Sequence, residues 1–493
     1  MSKIKKLVSG VGWGTFSTIS ITGFQIVFMA VMARLLDPVD FGLVAIANVS
    51  LRFFSYFAQM GIAPAIIQKP KLEEGDIAAA LTVSLGISSL FLGLAQVTAP
   101  LFEIFFQMTG LCSVIRVLSL NFIIGGFSAV SVGLMQRNTA FRALSMVEVI
   151  SYISGYGIVG LGAAFHEFGV WALVAAFMTQ TTLTALLSYA VIRHPLSFRH
   201  SAEQRRHFFS YGGRYSVIGF IEFLTSNLDA LVLGKILGAA PAGYYNRALL
   251  LANLPVQQPA NILTKALFPI MSSIGDQHDK QIISLQLSTL LVGSYAFAVG
   301  AGICIAAPDI VTVLLGRKWL DTIPILEMLA WSVGPLYVSH VAGVTLDSMN
   351  KLSIKLRIQL SMLILLIALL LLVAPSGRAL DIAVAVVATE WVRVFIMAVR
   401  LPQLLRISVK EVALITLCIA IVAISSGLMI LMISELIGQN FNSMARLCAE
   451  ILAGATGLLL GFLIASYVAV RLPAIRFLIV RAPIFSKLLP KLA

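Results

Sequence analysis

The chain has 493 residues, 59% of them hydrophobic and 12% charged, with a mean hydropathy of +0.96 and a formal charge of +13. A soluble domain carries about 25% charged residues, so a water-soluble globular protein is excluded. A nucleic-acid reader is excluded as well, because no loop is long enough to fold into one.

The first apolar run extends from about Val8 to Met32 behind Lys3, Lys5 and Lys6. That is too long for a secretory signal core of 7–15 residues, so it reads as an uncleaved first helix. Further runs lie at 41–66, 77–100, 112–135, 144–165, 169–192, 212–236, 246–270, 283–306, 323–348, 356–374, 380–400, 412–434 and 448–470. A helix needs about 20 apolar residues to cross a bilayer, so the expectation is an all-α polytopic membrane protein with about fourteen transmembrane helices. Cys112, Cys304, Cys418 and Cys448 have no paired spacing and the six histidines form no ligand pattern, so no disulfide, metal site or cofactor is implied.

An even number of spans puts both termini on one side. If the N-terminus, the loops after even-numbered spans and the tail are assigned to that side, it holds 24 of the 35 Lys and Arg, against 7 in the opposite loops. Both termini are therefore expected in the cytoplasm. The loop at about 193–211, with His194, His200 and His207 among arginines, reads as a solvated surface facing lipid headgroups. The basic tail after Arg471 reads as an interfacial segment.

A repeat runs through the chain. VMARLLDPVDFGLV at 31–44 and VLGKILGAAPAGYY at 232–245 align with Ala33 on Gly234, Arg34 on Lys235, Leu36 on Leu237 and Gly42 on Gly243. Later matches place Arg116 on Glu327 and Arg137 on Lys351. Six helices separate the copies, so both have the same orientation. Parallel repeats of this kind are a transporter architecture. The expected division is 1–205 and 206–410, two parallel six-helix lobes, with 411–493 holding two C-terminal helices without counterparts and the tail.

Ala33-Arg-Leu-Leu-Asp-Pro-Val-Asp-Phe-Gly42 resembles the first outer turn of Wzx-type polysaccharide flippases, the polysaccharide-transport branch of the multidrug/oligosaccharidyl-lipid/polysaccharide exporter superfamily. Ser226-Asn-Leu-Asp-Ala-Leu-Val-Leu-Gly-Lys-Ile-Leu-Gly238 with Gly243-Tyr-Tyr-Asn-Arg-Ala248 resembles that branch's seventh-helix segment, and Phe268-Pro-Ile-Met-Ser-Ser and Leu315-Gly-Arg-Lys-Trp319 are also similar. The resemblance covers roughly 10–410. It implies two lobes facing a central cavity in a bacterial inner-membrane protein. The implied cargo is an undecaprenyl-diphosphate-linked oligosaccharide, moved to the outer leaflet for exopolysaccharide or lipopolysaccharide O-chain assembly. A polysaccharide polymerase and a chain-length regulator are the protein partners that setting offers.

Charges inside spans cost about 2.5–3.5 kcal/mol each on insertion scales, so each asks for a reason. Arg52, Arg116 and Lys265 suit a lipid diphosphate, because basic groups offset its charge and a guanidinium donates two parallel hydrogen bonds to phosphate. Glu222, Glu327 and Glu390 are candidates for ion coupling or gating, since a buried carboxyl can exchange a proton or hold Na⁺. Glu390 and Arg393 are one helical turn apart and are expected to neutralise each other. Arg116 and Glu327, at equivalent repeat positions with opposite charge, are candidates for an inter-lobe gate. Asn227 and Asp229 enter as candidate substrate-binding residues only through the family-like segment; chemistry alone does not single them out. His340 reads as a core histidine.

Three other functions compete. A cation-coupled multidrug exporter would share the fold but needs no row of basic residues. A peptidoglycan-precursor lipid flippase faces the same anionic headgroup. A membrane polymerase or glycosyltransferase would need a large catalytic loop or a DxD-type motif, and the sequence has neither, so an enzyme is not expected.

Overall fold

A bilayer offers no water to hydrogen-bond the backbone, so each spanning segment must satisfy its own amides and carbonyls. The computed structural model follows that rule: among the described residues every regular element is helical. It describes the backbone of 3–58, 62–273, 278–349, 351–437, 441–469 and Leu472, and the side chains of those ranges apart from 3–11, 16, 56–58, 207, 209–220, 222, 260–273 and 278–281.

The helices are α1 (Lys3–Leu35), α2 (Pro38–Ala58), α3 (Ile62–Gln68), α4 (Glu74–Phe106), α5 (Leu111–Ser119), α6 (Asn121–Arg137), α7 (Phe141–Tyr152), α8 (Leu161–Phe165), α9 (Val170–Ile192), α10 (Ala202–Leu237) and α11 (Ala239–Ser273). They continue with α12 (His278–Leu314), α13 (Thr322–Ser348), α14 (Leu352–Val373), α15 (Ala379–Leu405), α16 (Val409–Ile437) and α17 (Ser443–Ala469). A π-helical stretch, Ile153–Gly160, joins α7 to α8. Twelve helical segments among the described residues are long and apolar enough to cross a membrane, and they coincide with twelve of the expected spans. The other two expected spans, 212–236 and 246–270, fall within α10 and α11, which contain residues outside the described set.

The chain forms two compact units, Met1–Asn246 and Arg247–Ala493. In the first unit, α4 packs on α6, α3 on α6, α6 on α9, and α10 on both α2 and α4. One core there joins Ile62, Ala65 and Ile66 of α3, Ala79, Ala80, Leu81 and Val83 of α4, Val130 and Leu134 of α6 and Phe208 of α10. The Arg137 guanidinium closes this corner by donating to the carbonyls of Ile66, Ile67, Lys69 and Pro70. These are carbonyls that the end of a helix leaves without partners.

In the second unit, α12 packs against α13, α16 and α17, and α15 against α13 and α14. The two helices beyond the repeat are thus built into this unit. Leu290 and Ala298 of α12 share a core with Ile415, Cys418, Ile419 and Val422 of α16 and Ala465 and Ala469 of α17. Small residues bring α16 and α17 together: Ser425 Oγ donates to Gly457 O at 2.9 Å and Ser426 Oγ to Gly454 O at 3.2 Å. Small side chains at such a crossing let backbones approach.

Two expectations for the loop after α9 are corrected. The irregular loop ends at Ser201, because Ser201 and Gln204 form a capping box (Gln204 N to Ser201 Oγ 3.1 Å, Ser201 N to Gln204 Oε1 2.9 Å) that starts α10 ten residues earlier than expected. His194 is not solvated. It is buried, its Nδ1 donates to Pro195 O (3.3 Å), and its Nε2 lies 3.1 Å from Ser131 Oγ. The side chain of His207 and the tail after Arg471, Leu472 apart, lie outside the described residues.

Candidate functional site

Arg52 is on α2, whose buried stripe of Ile46, Ala47, Ser50, Leu51 and Phe54 turns it toward the first unit's interior. Arg52 and Phe53 lie off that stripe and are exposed. Next to Arg52 in the chain, Phe54 meets Phe91 of α4 and Phe122 of α6 at ring distances of 6.1 and 6.5 Å, and Phe53 meets Phe223 of α10 at 6.5 Å. The aromatic cluster beside Arg52 is drawn from four helices, each ring contact worth about 0.5–1.5 kcal/mol beyond burial. No local pattern points to this cluster, since its members are scattered from 53 to 223.

Arg116 is exposed on the short helix α5, whose start is capped by Glu103 Oε2 accepting from Cys112 N (2.6 Å). Its carbonyl accepts from Gln96 Nε2 at 2.8 Å, tying α5 to α4. Asn227 is half-buried and spends its amide on Phe223 O of its own helix, 2.9 Å away. Asp229 is buried, and Tyr245 Oη donates to its Oδ2 across the α10–α11 turn. Its Oδ1 has no hydrogen-bond partner among the described residues. Tyr245 stands in the family-like segment 243–248, but nothing in the spacing links it to Asp229, and sequence reasoning misses the pair.

In the second unit Glu327 is half-buried on α13, while Glu390 is buried on α15. The Glu390–Arg393 ion pair expected from spacing is present at 3.1 Å. The neighbouring Trp391 pins α15, donating Nε1–H to Trp331 O of α13 at 3.1 Å and meeting Phe297 of α12 edge-on at 5.8 Å. Asp347 pairs with Lys355 at 2.9 Å where α13 gives way to α14. The structure thus joins Asp229 to Tyr245 and Glu390 to Arg393. Arg116 belongs to the first unit and Glu327 to the second. The side chains of Glu222 and Lys265 lie outside the described residues.

Among the described residues no three His, Cys, Asp or Glu side chains are grouped to hold a metal ion. The polar groups present are suited to binding and neutralising charge: exposed guanidinium groups, and buried carboxyls such as Asp229 and Glu390 held by defined partners.

The fold is that of a multi-helix membrane transporter. It matches the lipid II flippase MurJ in its inward closed conformation with a TM-score of 0.70 at 13% identity, over 94% of this chain and 99% of that one. It also matches an inward-facing multidrug resistance MATE family transporter of the MOP superfamily with a TM-score of 0.54 at 16% identity, over 80% of this chain and 95% of that one. The family described as polysaccharide biosynthesis protein matches residues 31–324, and the chain belongs to that family. The lipopolysaccharide biosynthesis protein WzxC of Escherichia coli (strain K12) is 26% identical over 332 residues, 67% of each chain. The resemblance carried by the outer turn and the seventh-helix segment is borne out, as is the all-α polytopic membrane fold.

Proposed function

We propose that the protein translocates an undecaprenyl-diphosphate-linked oligosaccharide from the inner to the outer leaflet of the bacterial inner membrane by alternating access, supplying exopolysaccharide or lipopolysaccharide O-chain biosynthesis. The family match over 31–324 carries this reading, because it spans both the outer turn and the seventh-helix segment. Arg52, exposed on an apolar helix, supports it. A guanidinium in a span is costly unless it meets an anion or water, and a diphosphate is an anion it can hold with paired hydrogen bonds. Arg116 and Lys265 are proposed to share that charge along the route. Glu222, Glu327 and Glu390 are proposed to couple or gate it, and a polymerase and chain-length regulator to receive the product.

The test is leaflet-resolved measurement of lipid-linked oligosaccharide after depletion of the protein. The reading expects accumulation on the cytoplasmic face with loss of surface polymer. Unchanged leaflet distribution with normal polymer export would overturn it. The likeness to MurJ favours one second reading, flipping of a peptidoglycan precursor. On that reading depletion leaves surface polysaccharide intact and arrests wall synthesis.

A further inference from the structure

A cleft of about 610 Å³ opens in the first unit between α4 and the start of α10, lined by Thr82, Val83, Gly86 and Ile87 on one side and Ala202, Arg205 and Arg206 on the other. Ligand pockets commonly span about 300–1,000 Å³, so it is large enough to hold part of a lipid.

Its two walls differ in chemistry. The α4 wall is apolar, and the Thr82 hydroxyl donates its proton to the Ala78 carbonyl at 2.8 Å, leaving no free side-chain donor there. Gly86 is exposed, and a Cβ built on it would meet nothing within 4 Å, so the cleft is open at this point. One and three turns further along the same face, Leu90 and Val97 are 60% and 75% exposed, and the apolar track continues out of the cleft. The opposite wall carries two exposed arginines, whose guanidinium groups make no hydrogen bond or ion pair among the described residues. At the start of α4 Asp76 is paired with Lys69 and accepts from the amide of Glu73, while Glu203 stands exposed on the first turn of α10, three residues before Arg206. The capping box at Ser201 and Gln204 fixes the first turn of α10, and Gln204 packs against Gly75 so closely that a Cβ there would lie 2.8 Å from it. The arginines are therefore held at the mouth of the cleft.

We infer that this cleft binds an anionic phospholipid of the surrounding leaflet, with its phosphate between Arg205 and Arg206 and one acyl chain along Gly86, Leu90 and Val97. A soluble anion would use the arginines but not the apolar track. A zwitterionic lipid would use the track but gain little from two guanidinium groups. Arg forms bidentate hydrogen bonds with phosphate, and anionic lipids draw basic residues at the cytoplasmic surface, the side to which the charge distribution assigns the start of α10.

The experiment is native mass spectrometry of the full-length protein in detergent, titrated with phosphatidylglycerol or phosphatidylcholine. Wild-type protein should retain phosphatidylglycerol in preference, with affinity falling about fivefold for each arginine in Arg205→Gln and Arg206→Gln. A Cβ at position 86 enters open space, so Gly86→Leu should lower the affinity while the melting temperature stays at the wild-type value. Arg199→Gln, on the preceding loop outside the cleft, should change nothing. Equal retention of both lipids by the wild type, or undiminished preference in the double arginine variant or in Gly86→Leu, would overturn the assignment. Displacement of phosphatidylglycerol by undecaprenyl diphosphate at lower concentration than phosphatidylglycerol itself would also overturn it, and would give the cleft to the cargo.

Discussion

Gly42 and Gly243, the residues that the internal repeat places in register, lie against each other's helices. A Cβ on Gly42 would come 1.8 Å from the carbonyl oxygen of Ala239, and one on Gly243 would come 2.0 Å from that of Pro38. The obstacle is backbone in both cases, at the first turns of α2 and α11, where nothing can rotate away. The repeated Pro/Gly turns are thus a matched pair of contact points within the first unit.

Gly42→Ala and Gly243→Ala should each destabilise the protein by about 3 kcal/mol, the upper range for overpacking a tight site. Purified yield and melting temperature in detergent report this. A wild-type melting temperature for either variant would show that the crossing tolerates a methyl group.

Asp309 of α12 and Arg446 of α17 are joined by two hydrogen bonds, Nε to Oδ2 at 2.6 Å and Nη2 to Oδ1 at 2.8 Å. Glu450 of α17 is also buried. Arg446→Met leaves the buried Asp309 carboxylate without its half-buried partner and should cost about 2 kcal/mol, as leaving a buried acceptor unsatisfied does. The exchange Asp309→Arg with Arg446→Asp should recover part of the loss. No recovery, with each single variant neutral, would mean that packing alone holds α17.

Tyr245→Phe removes the hydrogen bond that the tyrosine donates to the buried Asp229 carboxyl. Leaving a buried carboxyl unsatisfied costs about 2 kcal/mol. Asp229→Asn should be milder, because an amide oxygen still accepts from the tyrosine. Thermal unfolding of the two variants side by side checks the order, and equal melting temperatures would contradict it.

Burial holds the His194 imidazole below its ordinary value of 6.5, against a smaller opposing effect of the Pro195 carbonyl. Between the lowered folded value and 6.5 the unfolded chain binds the proton first. The stability from neutral His194 is therefore complete above pH 6.5 and is lost as pH falls through the folded value. His194→Gln keeps a polar side chain near Ser131 without titrating, and it should flatten the melting-temperature profile between about pH 5 and 7. An unchanged slope would assign the pH dependence to other groups.

On the orientation proposed from the charge distribution, Arg199→Cys in a cysteine-free background should react with a membrane-impermeant maleimide only in permeabilised cells. Arg378→Cys should react in intact cells. The reverse pattern would invert the topology.

Much of this protein is local and could be read along the chain. Spans such as 169–192 and 323–348 match α9 and α13 closely, because a bilayer forces each apolar run to satisfy its own backbone, and that depends on length and composition alone. The Glu390–Arg393 pair follows from one helical turn. The capping box at Ser201 and Gln204 is equally local, but the hydropathy of the run from 212 hid it.

Tertiary structure decided what depends on distance in the chain. Asp309 and Arg446 are 137 residues apart, and Asp229 and Tyr245 are 16 apart across a turn, so no periodicity relates them. Arg137 and His194 each looked like basic surface, yet one satisfies carbonyls at the end of α3 and the other is buried against α6. A side chain's partner is set by which helix faces which, and hydropathy is silent on that because every apolar helix is an acceptable neighbour. Length and hydropathy determined that the chain is a bundle of membrane helices. Packing alone decided which of its charges find partners and which are left exposed.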